Sequence, residues 1–245
     1  MTTLAIEDDH LFGGDGETRL VTARRLVWLL AALFAAALGW ASGIRLYLVV
    51  LLTGLAGYFG WVPLPSGLHL LANPVVLAVS GFMVFIEFFA DKIPGLDSLW
   101  DMVHTVIRIP AGAALAAGVF GADHAVMALV AALLGGGFAA TAHAAKATTR
   151  AAINTSPEPF SNVGASLVED SMVPAGLWLA VAHPAVFLVL FVIVLALSVW
   201  LIRKSWRFLR GLVGRVTRIF SGKSDPGVVP AFQFKKNASG DSSHV

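Results

Sequence analysis

The chain has 245 residues, of which only 13% are charged and 57% hydrophobic, with a mean hydropathy of +0.79 and a net charge of +2. A soluble domain of this size would normally carry about 25% charged residues. The absence of cysteine excludes disulfides, thiolate metal sites and Cys nucleophiles. The net charge of +2 gives no indication of nucleic acid, which is not expected as a partner, because the basic residues are not spread over a surface.

Residues 1–25 read as an acidic, cytoplasmic N-terminal tail. Glu7, Asp8, Asp9, Asp15 and Glu17 are the reverse of a signal peptide's positive start, and the first span reads as an uncleaved anchor. Gly13, Gly14 and Gly16 have no preceding strand and no following Lys-Ser/Thr, so they are not a phosphate loop.

From Leu26 to Ile202 the chain is almost continuously apolar, and only 13 of its 32 Asp, Glu, Lys and Arg residues lie there. A helix crosses a hydrocarbon core of roughly 30 Å with about 20 residues. Six segments meet that requirement approximately: Leu26–Ala41, Ile44–Val62, Leu68–Ala90, Ala125–Ala142, Val163–Leu179 and Pro184–Ile202. The stretch Ile109–Gly121 is short for a span and reads as a re-entrant or interfacial piece packed on other helices. The expectation is an all-α, polytopic membrane protein with about six transmembrane helices in a membrane domain, residues 26–202.

Internal similarity divides that domain into a first repeat of about 26–92, a linker of 93–124 and a second repeat of about 125–202. The run Pro63-Leu-Pro-Ser-Gly-Leu-His-Leu-Leu-Ala-Asn-Pro74 is echoed by Pro174-Ala-Gly-Leu-Trp-Leu-Ala-Val-Ala-His-Pro184. Upstream, Ala-Ser-Gly-Ile-Arg45 is echoed by Ala-Thr-Thr-Arg150. Three segments per half imply an inverted repeat with broken or re-entrant elements near its centre. After it, residues 203–220 combine Arg and Lys with apolar residues at helical spacing (Trp206, Leu209, Val216), which predicts a basic amphipathic helix on anionic inner-leaflet lipids. Residues 221–245 read as a disordered tail. Basic flanks at both ends predict that both termini are cytoplasmic.

A charge inside a span costs about 2.5–3.5 kcal/mol even on the lenient insertion scale, so each one retained is a candidate for function. Glu87 and Asp91 lie four apart on one helix face, followed by Lys92. Asp97, Asp101, His104 and Arg108 continue at spacings of four, three and four, making one stripe. Paired carboxylates beside a histidine suit proton coupling or a charge network. His143, Lys146 and Arg150 share a second face, followed by Asn154, Ser156, Glu158 and Asn162 in a stretch that Pro157 and Pro159 keep from continuing as helix. Glu169 and Asp170 face different ways, and one of them is the economical partner for Arg150, Lys146 or Arg45. No catalytic triad order, metal-ligand spacing or cofactor motif stands out.

Glu-Phe-Phe-Ala-Asp-Lys-Ile-Pro-Gly-Leu-Asp-Ser-Leu-Trp-Asp (87–101), His104 with Arg108, and Asn-Thr-Ser-Pro-Glu-Pro-Phe-Ser-Asn (154–162) together resemble a multi-pass family catalogued as domain of unknown function 4126. The resemblance spans about Leu26 to Trp206. It implies an integral membrane protein of the bacterial inner membrane and carries over no activity and no residue role.

The residues themselves favour a transporter or channel for a small anion or an anionic lipid head group. Arg45, Arg150, Lys146, His143, Asn154, Ser156 and Asn162 are its candidate binding residues. Glu87, Asp91, Lys92, Asp97, Asp101, His104, Arg108, Glu158, Glu169 and Asp170 are its proton-coupling or charge-network residues. The alternatives are a membrane enzyme acting on lipid phosphates through His104 or His143, and a non-catalytic scaffold. A homo-oligomer is compatible with each.

Overall fold

A computed structural model describes residues 13–93, 95–154 and 159–220, with side chains over 18–93, 95–154 and 160–207. The described residues are all helical or connecting: α1 (Gly13–Tyr58), α2 (Pro74–Ala90), α3 (Leu96–Gly118), α4 (Ala125–Ile153), α5 (Pro159–Ala182) and α6 (Pro184–Phe220), with 3₁₀ turns at Ser66–Ala72 and Ala122–His124. Four of them are long and apolar enough to cross a membrane, over Thr18–Tyr58, Ala122–Ile153, Phe160–Ala182 and Pro184–Arg207. The pair Ser66–Ala72 and Pro74–Ala90, bent by 68°, makes a fifth when taken as one broken span.

The first two expected segments are fused in α1. The fusion is interrupted at Arg45, whose φ of −140° and ψ of 77° leave the helical region. The third segment begins with the separate 3₁₀ turn. Asn73 then opens α2 as its cap, accepting from the Val75 amide at 2.9 Å, with Pro74 at the first helical position where its missing N–H costs nothing.

Ile109–Gly121, expected as a separate re-entrant or interfacial piece packed on other helices, is not separate. Nearly all of it is the second half of α3, continuous with the charged stripe. Pro110 removes one ladder hydrogen bond without ending that helix. The two Pro-rich echoes also differ in conformation. Ser66–Ala72 is a 3₁₀ turn, whereas Pro174 lies inside α5. The basic stretch 203–220 is helical as the last part of α6, and its residues 206–220 fall in a unit apart from the rest of the chain. The tail 221–245 lies outside the described residues, as do residues 1–12 of the N-terminal tail.

Small residues set how closely the central helices approach. Gly39 and Gly43 lie one turn apart on α1, and Gly135 and Ala139 face them from α4. A Cβ on Gly39 would stand 2.6 Å from the Gly135 Cα, and one on Gly43 would overlap the Ala139 backbone. Gly112 of α3 closes on the same point, where a Cβ would meet the Ala139 methyl at 2.7 Å. In an apolar solvent such small-residue contacts, with the dispersion they allow, are a main source of helix association. Here they bring Arg45, two residues beyond Gly43, against the polar half of α4.

Gly43→Leu should therefore prevent assembly of the bundle, whereas Gly137→Ala, which meets no other atom within 4 Å, should be neutral or stabilise by up to about 1 kcal/mol. Thermal unfolding in detergent would measure both.

Candidate functional site

Five helices, α1 to α5, deliver charges to one buried centre. The break at Arg45 turns that side chain into the bundle. Its Nη1 bonds Asp91 Oδ2 at 2.7 Å, and its Nη2 reaches Ser166 Oγ at 2.8 Å and Asp170 Oδ1 at 2.9 Å. One turn separates Lys146 from Arg150 on α4, so both enter from the same face. The Lys146 Nζ lies 2.9 Å from Asp91 Oδ2, 3.2 Å from Asp101 Oδ1 and 3.3 Å from Glu169 Oε2, and donates to the Ile44 carbonyl at the α1 break at 3.3 Å. Arg150 grips Glu169 with two parallel bonds, Nε to Oε1 at 3.1 Å and Nη2 to Oε2 at 2.9 Å. Its Nη1 donates to the Asp91 carbonyl at 3.0 Å and the Asn162 carbonyl at 3.1 Å.

Two carboxylate oxygens thus face the same three cations. Arg45, Lys146 and Arg150 all lie within 4 Å of Asp91 Oδ2 and of Glu169 Oε2. Arg45, Arg150 and Asp91 are at most 2% exposed. Coulombic attraction between such neighbours is strong at low dielectric, but removing each ion from water costs several kcal/mol, and only dense mutual pairing offsets that.

A second node adjoins the first. Arg108 of α3 pairs with Glu87 of α2 through Nη2 and with Asp101 through Nη1 at 2.6 Å. Asp101 links the nodes because its Oδ1 also receives Lys146. The four buried cations Arg45, Arg108, Lys146 and Arg150 are matched by Glu87, Asp91, Asp101 and Glu169, so the centre is formally neutral. Lys92 and Asp170 form a looser pair at its edge, 3.8 Å apart, with the Lys92 ammonium over the Phe88 ring. Burial lowers the Lys92 pKa, against the opposing pull of Asp170.

Both candidate histidines are engaged at both nitrogens. Arg108 Nη1 can only donate, so it gives His143 Nδ1 an acceptor role at 3.3 Å. His143 Nε2 then donates to Thr105 Oγ1 at 2.7 Å, and that hydroxyl donates onward to the Asp101 carbonyl. His104 donates from Nδ1 to the Trp100 carbonyl and accepts the Tyr47 hydroxyl at Nε2, with Trp100 stacked on its ring.

Asp97 stands apart from the ion pairs. Its Oδ1 accepts the Gly95 and Ser98 amides, and Asn154 Nδ2 donates to both of its oxygens. Asn162 Nδ2 donates to Asn154 Oδ1, which ties α5 to the end of α4. Ser156 and Glu158 lie outside the described residues. Glu169 and Asp170 both find cations, the first chiefly Arg150 and the second chiefly Arg45.

Sequence reasoning missed Ser166, Thr105, Tyr47 and the Ile44 carbonyl. Ser166 had a signal, because Asn162, Ser166 and Glu169 share one helix face at four and seven. The Ile44 carbonyl had none, since it depends on the backbone break.

The family described as "Domain of unknown function (DUF4126)" matches residues 32–204. The chain belongs to this family. No curated protein and no solved structure matches it. The matched region contains every residue of the buried centre, so the centre lies wholly inside the family domain. Among the described residues no group of His, Cys, Asp and Glu forms a metal site.

Asp91→Asn leaves Arg45 and Lys146 short of a counter-charge and should destabilise the protein by about 3–5 kcal/mol. Adding Lys146→Met should recover part of that loss, because neighbours in one network are non-additive. Urea or thermal unfolding of the two variants in the same detergent would check it.

Proposed function

We propose that this protein is a membrane carrier for an anion, either a small solute or an anionic lipid head group, driven by protons. The observation that supports this reading is the convergence of Arg45, Lys146 and Arg150 on two carboxylate oxygens. A planar guanidinium fork fits any carboxylate or phosphate. Here the chain's own carboxylates occupy the forks, Glu169 on Arg150 and Asp91 together with Asp170 on Arg45, as an exogenous anion would.

Protonation of either carboxylate weakens its hold on the cations and leaves positive charge for a ligand, so proton and anion bind together. Glu87 acts as the second proton-accepting group, since its Oε2 is buried without a hydrogen-bond partner. Each half of the domain supplies one arginine and one acid: Arg45 with Asp91, and Arg150 with Glu169. That division is what an inverted pair of repeats would produce at its centre. The same reading puts six crossings in a bacterial inner membrane, with both termini on the cytoplasmic face. An acid–base role for His104 or His143 is disfavoured because all four ring nitrogens are already engaged.

Purified protein in liposomes should carry anions faster under an inward proton gradient. Arg45→Lys and Arg150→Lys should each slow that flux about tenfold or more, since lysine keeps the charge and loses the fork. The paired Ala variants should be non-additive. Glu87→Gln should flatten the pH dependence while the protein still folds. Additive, independent effects of the two arginines would remove the shared site. Reporter fusions at Met1 and Val245 should label one side of the membrane.

A further inference from the structure

The charged centre has an apolar side door. Lys146 and Glu169 form the polar floor of a cavity of about 340 Å³ between α1, α4, α5 and α6. A second cavity of about 220 Å³ continues it toward Phe187. The two share Trp40, Met172 and Val194, so they form one groove along the inner face of α6. From Phe187 to Leu201 that face measures about 21 Å at the helical rise per residue. The groove exists because α6 meets the bundle through bulky rings, Phe191 against Trp40 and Phe138, which hold the backbones apart.

The two ends differ. The Phe187 end is wholly apolar. The other end is lined by Trp200 and Leu201, and Arg203 and Lys204 follow within one turn. Lys204 Nζ lies over the Trp200 ring, 4.8 Å from its centre, so this cation sits where the groove ends. A hydrated anion gains nothing along such walls. A molecule with a hydrocarbon chain and a negative head satisfies both ends, by burial of the chain and by charge complementarity at Arg203 and Lys204.

We infer that an anionic phospholipid occupies this groove, its acyl chain along α6 and its head group at Arg203 and Lys204. The groove is then the lateral route by which such a head group comes to Lys146 and Glu169. This last step rests on the carrier reading above and names its substrate class as an anionic lipid.

The test uses the full chain in phosphatidylcholine vesicles containing phosphatidylglycerol with a photoreactive acyl chain. Illumination followed by peptide mass spectrometry locates the label. The inference expects label on Met172 and Val194, half-buried inside the groove, above that on the exposed outer face of α6 at Val189 and Ile193. Ala165→Trp and Gly176→Leu fill the groove from α5 and should each cut the inner labelling about fivefold or more. Arg203→Gln with Lys204→Gln should cut it by about fivefold per charge lost. Label confined to the outer face in the unaltered chain overturns the inference, whatever the variants do. Equal inner labelling by photoreactive phosphatidylcholine overturns the choice of an anionic head. Anion flux that persists unchanged in both groove-filling variants overturns the lateral route and leaves the carrier reading standing. Groove labelling without flux of any anion or lipid upholds the bound lipid and removes the carrier.

Discussion

Asp91 Oδ2 and Glu169 Oε2 hold this molecule together. Each oxygen faces Arg45, Lys146 and Arg150 at once, and neither could be buried alone. An isolated carboxylate in a medium of low dielectric would take a proton or stay in water. Three cations within 4 Å reverse that preference, and in turn those cations need the carboxylates. The helices have little freedom around such a centre. Arg45 requires α1 to break, Asp91 requires α2 to end beside it, and the α4 pair requires α4 to approach without bulk. Gly39, Gly43 and Gly135 meet the last requirement.

That arrangement also links stability to function. A network of this kind is poor at increasing stability over a well-packed apolar core of the same volume. Under the carrier reading proposed above, what it offers is a state that responds to the addition of one proton or one anion. Several of its atoms still lack hydrogen-bond partners, among them Glu87 Oε2, Asp91 Oδ1, Asp101 Oδ2 and the Nε of Arg45 and Arg108. Three are acceptors and two are donors. The apolar groove beside α6 is floored by Lys146 and Glu169.

Much of the site was legible in the sequence, because charge is costly in an apolar chain and therefore conspicuous. Arg45, Glu87, Asp91, Asp101, Arg108, Lys146, Arg150, Glu169 and Asp170 all stood out on that ground alone, and all meet in one network. Helical spacing correctly put Lys146 with Arg150 and Asp101 with Arg108. It could not assign partners across helices. Glu87 and Asp91 share a helix face, yet they serve different nodes, Arg108 for one and Arg45 with Lys146 for the other. The fold was legible in class and less so in its breaks. Segment boundaries drawn from apolar length placed a loop near Ser42–Gly43, where the chain keeps its helix and breaks only at Arg45. Apolar length set Ile109–Gly121 apart as a piece of its own, whereas nearly all of it continues α3 through Pro110.

The central claim is that the chain's own carboxylates hold the anion site and yield it on protonation. Proton uptake during ligand binding tests this most directly. A short-chain anionic phospholipid added to the detergent-purified protein in weak buffer should bind with uptake of protons from solution. Glu169→Gln, which carries no proton to exchange, should bind it with measurably less uptake. Binding without any proton uptake, or no binding across the pH range in which the protein is folded, would contradict the account.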